Sequence, residues 1–168
     1  MPWSLWLLPP SGLEGRLAAA VAALSRRHGT AAFEPHLTLL GELPGPEAAL
    51  VPPLRLLARR LRPFDVCLDE VATGEEPFRC VFLVARETPE LMGAHARARE
   101  VLGVTTAEPF RPHLSLVYGS LDAQEREAAR RDAGDLRASF TVESLHLVDT
   151  TGDVVGWRRR ERFVFGGA

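Results

Sequence analysis

The chain has 168 residues, 46% of them hydrophobic and 25% charged, the profile of a globular domain long enough to bury a sizeable core. Its formal charge of −2 gives no global positive field for nucleic acid, and because all 20 basic residues are arginine, lysine-based covalent chemistry and the P-loop lysine are excluded. Two cysteines rule out a disulfide-dense scaffold and a cysteine-based zinc cluster, and no apolar run nears the roughly 18 residues that cross a bilayer.

Met1 to Leu8 is apolar but has no basic flank and stops at Pro9-Pro10, so Ser4–Leu8 reads as a first strand rather than a signal peptide. Ser11-Gly12-Leu13-Glu14 has the S-x-x-E form of a capping box, and Leu13, Leu17, Val21 and Leu24 follow at helical spacing until Gly29. A helix over residues 12–28 is predicted. Phe33–Leu40 is a strand bounded by Gly41 and the Pro44-Gly45-Pro46 loop. A second helix runs from Pro53 to Arg62, with Leu54, Leu57 and Leu61 inward. Phe64–Val71 alternates apolar and polar residues, as a half-buried strand does.

The pattern then restarts. Cys80–Ala85 is a strand, and Thr88-Pro89 opens a helix to about Leu102 as N-cap and first-turn proline. Phe110–Tyr118 is a strand ending at Gly119. Asp122 to Glu125 is another capping box, leading a polar helix to Gly134. Ser139–Val148 and Arg160–Phe165, joined through the Thr151-Gly152-Asp153 turn, close the chain as strands. The order is β-α-β-α-β twice with one extra terminal strand, within one domain spanning 1–168.

The strongest signal is a repeated heptapeptide. Phe33-Glu34-Pro35-His36-Leu37-Thr38-Leu39 matches Phe110-Arg111-Pro112-His113-Leu114-Ser115-Leu116 at five positions, and a sixth keeps a hydroxyl. Each copy lies on the strand after a helix, so a duplicated supersecondary unit explains the match. Alternation along a strand sends His36 and Thr38 to one face and Leu37 and Leu39 to the other; His113 and Ser115 oppose Leu114 and Leu116 in the same way. The leucine faces suit packing against the amphipathic helices. If a pseudo-twofold axis relates the halves, two imidazoles and two hydroxyls converge in one groove. Opening a cyclic phosphate needs a base to activate water and an acid to protonate the departing oxygen, and two histidines near pKa 6.5 supply both. The hydroxyls can donate to the non-bridging oxygens. No metal or other cofactor is demanded.

Paired H-x-[TS] strands resemble those of the 2H phosphoesterase superfamily. The flanks F-E-P-H-L-T and F-R-P-H-L-S-L-V-Y-G look most like its cyclic phosphodiesterase branch, which opens nucleoside 2′,3′-cyclic phosphates and ADP-ribose 1″,2″-cyclic phosphate. The resemblance covers essentially the whole chain, from the S-x-W-x-x-P stretch at Ser4, Trp6 and Pro9 to Ser144-Leu145-His146-Leu147. It implies an α+β fold of two pseudo-symmetric lobes, each an antiparallel sheet with helices on its outer face, and an active-site groove between them. It implies a metal-independent reaction with His36, Thr38, His113 and Ser115 as the catalytic set, His113 activating water and His36 protonating the leaving oxygen. Trp6 matches the family's base-stacking tryptophan and Tyr118 its phosphate-proximal tyrosine, although Trp6 reads equally well as core. The RNA-ligase-like branch continues its first motif as H-[LIV]-T-L-x-[FY]-[LI]-G, whereas Leu39 here runs straight into Leu40-Gly41. That departure argues against a long RNA substrate. The expectation is a cytoplasmic monomer, without membrane association, acting on a small nucleotide cyclic phosphate. An RNA-end 2′,3′-cyclic phosphodiesterase or 2′-5′ ligase-like enzyme is the first alternative, and a nucleotide- or RNA-binding module without turnover is the second.

The remaining candidates read as structural. His28 sits at a helix C-terminus, where positive charge is favoured. His95 lies on the apolar side of its helix with Leu91, Ala98 and Leu102, and reads as a core or interface residue. His146 shares a strand face with Val142, Ser144 and Val148 and is a lesser candidate for the groove. Cys67 and Cys80 read as free thiols. Arg158, Arg159, Arg160 and Arg162 form a basic cluster, mostly a solvated surface but placed to guide an anion. Asp65, Asp69 and Glu70 are solvated strand positions rather than a metal site.

Overall fold

A computed structural model describes residues 2–166. The elements follow as β1 (Trp3–Leu7), α1 (Ser11–His28), β2 (Leu37–Leu43), α2 (Glu47–Arg60), β3 (Phe64–Glu76), β4 (Arg79–Ala85), α3 (Pro89–Leu102), β5 (His113–Val117), α4 (Ala123–Ala133), β6 (Ala138–Val142), β7 (Ser144–Asp149) and β8 (Arg158–Val164), with a 3-10 turn at Val154–Gly156. The fold is α+β, as the sequence predicts. All eight strands join one sheet in the order β6-β3-β4-β5-β2-β1-β7-β8, and every neighbouring pair is antiparallel.

The two four-stranded halves of this sheet are not the two halves of the sequence. One half is β2-β1-β7-β8 and the other β6-β3-β4-β5. β3 therefore crosses into the half that carries the second motif, and the chain returns at its end to complete the half that carries the first. Ser139–Val148, predicted as one strand, breaks at Glu143 into β6 and β7, which lie in opposite halves. β6 buries alternate residues, Phe140 and Val142, whereas β7 is buried from Ser144 to Val148; the apolar alternation changes phase from Phe140 and Val142 to Leu145 and Leu147, a slip at Glu143 that the predicted strand runs through. The helices cross over as well: α1 and α4 lie together with α1 on β5, while α2 and α3 lie together with α3 on β2. One continuous apolar core results, with Leu17, Leu37, Leu39, Leu54, Leu114 and Leu116 all fully buried in it.

Several boundaries shift for physical reasons. The capping box at Ser11 does not form: Ser11 is the first helical residue, Pro10 is the N-cap, and no side chain caps the end. Pro10 is extended, and its carbonyl accepts the first helical hydrogen bond from the Glu14 N–H at 2.8 Å. The Asp122–Glu125 box does form, with reciprocal bonds of 2.8 and 2.9 Å, and Thr88 accepts from the Leu91 N–H at 3.3 Å. α2 starts at Glu47, six residues before the predicted start, and contains Pro52 and Pro53. Each proline removes a helical hydrogen bond; burial of Leu50, Leu54 and Leu57 against the core offsets that cost. β3 extends to Glu76 and turns tightly into β4 at Arg79. Gly74 is required there, because a Cβ would stand 2.5 Å from the Arg79 carbonyl oxygen. β2 begins at Leu37 and β5 at His113, later than predicted, because Pro35 and Pro112 have no N–H to give a ladder. Cys67 and Cys80 are free.

Candidate active site

β2 and β5 meet at one ladder pair, Leu37↔Leu114. That pair sets the two copies of the repeat side by side, with their leucines buried toward the helices and their polar residues on the opposite face. His36, Thr38, His113 and Ser115 all line one cavity of about 360 Å³, together with Trp6, Tyr118, Phe78 and Trp157.

The two imidazoles are held in the same way. His36 Nδ1 lies 2.7 Å from the Glu34 carbonyl oxygen, and His113 Nδ1 lies 2.8 Å from that of Arg111, two residues upstream in each case. A carbonyl only accepts, so Nδ1 carries the proton in both rings and a neutral ring leaves Nε2 bare. The intervening Pro35 and Pro112 hold the preceding residue extended, which keeps that carbonyl within reach. The repeat thus encodes two imidazoles of fixed tautomer, not merely two histidines.

Their surroundings differ. His36 is 3% exposed and lies flat against Trp6, with centroids 3.5 Å apart and planes at 8°. The Tyr118 hydroxyl donates to its Nε2 at 3.3 Å. Burial lowers the His36 pKa from 6.5 to about 4; the bond to Glu34 works against that shift, and the nearby His113 adds to it. His113 is less buried. Its pKa is also lowered, first by burial, while the Arg111 carbonyl pulls it up, Arg79 pushes it down and Glu76 pulls it up. Burial pushes the Tyr118 phenol up, so it remains a neutral donor. Ser115 Oγ donates to the Phe78 carbonyl at 2.8 Å.

Trp6 lines the cavity but is 3% exposed, with one face against His36 and its Nε1 donating to Ser4 Oγ at 3.0 Å. Tyr118 stacks on Phe33, with centroids 3.8 Å apart. Two aromatic residues that the sequence reading passed over stand at the cavity wall. Phe78, at the β3–β4 turn, is 60% exposed, and Trp157 immediately precedes β8; their rings lie 6.2 Å apart. Both occupy irregular backbone, where periodicity gives no signal. An aromatic residue beside a turn was the available cue.

His146 does not line the cavity. It is buried in β7 between Trp6 of β1 and Arg162 of β8, its Nε2 3.2 Å from Ser144 Oγ, and burial and then Arg159 and Arg162 lower its pKa to about 4. His28 pairs with Asp132 at 3.2 Å. The arginine cluster is largely engaged: Arg159 with Glu34 and Arg160 with Glu47, each at 3.1 Å, and Arg162 with Ser144 Oγ at 3.2 Å. Among the described residues, no three His, Cys, Asp or Glu side chains gather as metal ligands.

Residues 9–154 match the family described as the 2′-5′ RNA ligase superfamily. A protein of Arabidopsis thaliana named cyclic phosphodiesterase is 31% identical over 147 residues, which cover 86% of this chain and 80% of that one. Among solved structures, a phosphoesterase superposes with a TM-score of 0.71 at 20% identity, covering 98% of this chain and 97% of the other. E. coli LigT in complex with 3′-AMP gives 0.67 at 20% identity over 98% and 97%. These two likenesses establish the shared fold. With both H-x-[TS] strands on one cavity, the chain belongs to the 2′-5′ RNA ligase superfamily, the 2H phosphoesterases.

Proposed function

We propose that this protein hydrolyses small nucleotide cyclic phosphates by acid–base catalysis between His36 and His113. The observation that carries the reading is the matched tautomer: both rings spend their Nδ1–H on a main-chain carbonyl and turn Nε2 to a common cavity. A pure binding module has no need of two such proton carriers. The similar Arabidopsis protein is named a cyclic phosphodiesterase, which supports the same chemistry.

In this reading a nucleoside 2′,3′-cyclic phosphate lies with its phosphorus between the two Nε2 atoms. His113, the less buried ring, takes a proton from water as the water oxygen bonds to phosphorus. The bond from phosphorus to O3′ breaks opposite the attack, and His36 Nε2–H protonates that oxygen, leaving a 2′-phosphate. Thr38 and Ser115 donate to the non-bridging oxygens, and Ser115 leaves the Phe78 carbonyl to do so. The substrate's negative charge favours imidazolium and offsets the burial that lowers both pKa values. Once His36 Nε2 is protonated it no longer accepts from Tyr118, and that hydroxyl turns to the phosphoryl group. The nucleobase lies against the aromatic wall. ADP-ribose 1″,2″-cyclic phosphate presents the same strained ring.

Turnover of 2′,3′-cyclic AMP, with the product resolved as 2′- or 3′-AMP, tests the reading. Hydrolysis by the wild type and its loss in His36→Ala and His113→Ala are expected. No turnover of 2′,3′-cyclic AMP, of ADP-ribose 1″,2″-cyclic phosphate or of a short RNA with a cyclic end would sink it. Turnover of the RNA alone would favour an RNA-end enzyme.

A further inference from the structure

The two catalytic strands sit in opposite halves of the sheet, and main-chain pairing joins them only at Leu37↔Leu114. Beyond that pair they part. Thr38, Gly41 and Glu42 on one side, and Arg79, Arg111 and His113 on the other, line a second opening of about 460 Å³. That single pair stands one residue from each motif histidine, and beyond it, toward Leu39 and Phe110, the seam is left to side chains.

His95 bridges the seam. It projects from α3, which is connected in sequence to β4 and β5 and packs both on β3 of their half and on β2 of the other. Its Nδ1–H donates to the Leu39 carbonyl at 2.7 Å, next to Thr38 in the first motif. Its ring stacks on Phe110, the first residue of the second motif copy, with centroids 4.0 Å apart and planes at 6°. The ring is 8% exposed and lies on the wall of the second opening. One flat side chain therefore holds one motif by a hydrogen bond and the other by its face. Phenylalanine supplies only the face, and asparagine only a donor.

We propose that His95 is a positioning residue whose link between Leu39 and Phe110 sets the spacing of the two catalytic imidazoles. The inference rests on the acid–base reading above. A displacement of about 1 Å in a reacting pair costs on the order of 10²-fold in rate. Loosening the seam therefore lowers kcat far more than it raises KM.

The test compares His95→Ala, His95→Phe and His95→Asn with the wild type and with His28→Gln, whose ring lies outside the seam. Melting temperature establishes folding, kcat and KM are measured on 2′,3′-cyclic AMP, and the imidazole C–H resonances of His36 and His113 are titrated by NMR. A fall of about 10- to 100-fold in kcat is expected for His95→Ala, with KM within about threefold. His95→Phe and His95→Asn should each recover part of the loss. Both imidazole titrations should move in His95→Ala, His36 upward toward an ordinary histidine as water enters the seam, and neither should move in His28→Gln. A folded variant set with normal kcat, or one in which KM alone rises, overturns the proposal. An inactive wild type defeats the acid–base reading instead, and the titrations then decide the link alone: unchanged resonances in the folded variants overturn it.

Discussion

Trp6 and His36 lie face to face, their ring centroids 3.5 Å apart and their planes 8° from parallel. The pairing comes from the sheet: Trp6 on β1 stands opposite Thr38 on β2, on the face that carries the motif histidines. A buried indole against an imidazole fixes the ring plane and keeps water from it. His36 occupies one face of an indole that is 3% exposed in all.

Trp6→Ala should therefore lower kcat by about tenfold or more and change KM little, while Trp6→Phe should keep most of the activity. Stacking on a base is worth roughly 1–3 kcal/mol. A Trp6→Ala enzyme with normal kcat and a KM raised to match that range would return Trp6 to base binding. Steady-state kinetics on 2′,3′-cyclic AMP distinguish the two outcomes.

Burial also fixes the pH dependence. The charged imidazolium is disfavoured in both rings, so both free-enzyme pKa values fall below 6.5, that of His36 to about 4. The kcat/KM profile reports the free enzyme, and its two limbs should both lie on the acid side of about 6.5. The kcat profile reports the complex, where the phosphate anion favours imidazolium, so its limbs should lie higher. A basic limb of kcat/KM above about pH 7.5 would contradict the neutral, carbonyl-anchored rings. The same shifts act on stability. Histidines held neutral in the fold bind fewer protons than in the unfolded chain, so stability is retained above the unfolded pKa and falls as pH drops through the window from 6.5 toward 4. Melting temperatures between pH 7 and pH 4.5 check the direction.

The convergence of the two motifs on one cavity was legible in the sequence because the repeat states it twice, in local chemistry: a proline, a histidine and a hydroxyl at strand spacing. What sequence could not convey was nonlocal. The alternation of Ser139–Val148 slips phase between Val142 and Leu145, which hints at a break near Glu143, but nothing in it says that the two pieces lie in opposite halves. Pro52 and Pro53 argue for a helix start, and only the buried face running back to Leu50 carries α2 past them. Ser11-x-x-Glu14 and Asp122-x-x-Glu125 look alike as caps, yet at the first the helix begins at Ser11 itself, with Pro10 at the N-cap, so the serine is one residue too late to cap it. Phe78 and Trp157 reach the cavity from irregular segments, and His95 looks like any core histidine until Leu39 and Phe110 arrive on either side of it.

Chelation should leave the activity intact. Both motif histidines spend Nδ1 on carbonyls, and the proposed reaction needs both Nε2 atoms for protons, which leaves no free nitrogen for a metal. Turnover of 2′,3′-cyclic AMP after dialysis against chelator should match the untreated enzyme. Activity that vanishes on chelation and returns with a divalent ion would overturn the two-histidine mechanism.

The division of labour between the histidines is open to a leaving-group test. Substituting either by alanine should cost about 10²–10⁴ in kcat. The double variant should lose less than the product of the two if they act as a unit. The pseudo-symmetry of the motifs does not say which ring faces water, but their surroundings differ. His113 also borders the second opening, a route for water, whereas His36 is enclosed by Trp6 and Tyr118. Access to water suits His113 to the base, whereas burial disfavours the imidazolium that a proton donor must be, so His36 acts as acid only with the phosphate anion beside it. A substrate whose departing oxygen carries a far better leaving group needs little protonation. It should rescue most of the activity of His36→Ala and little of that of His113→Ala. Rescue of His113→Ala alone would exchange the roles, and equal rescue of both would show that neither ring is dedicated to the leaving group.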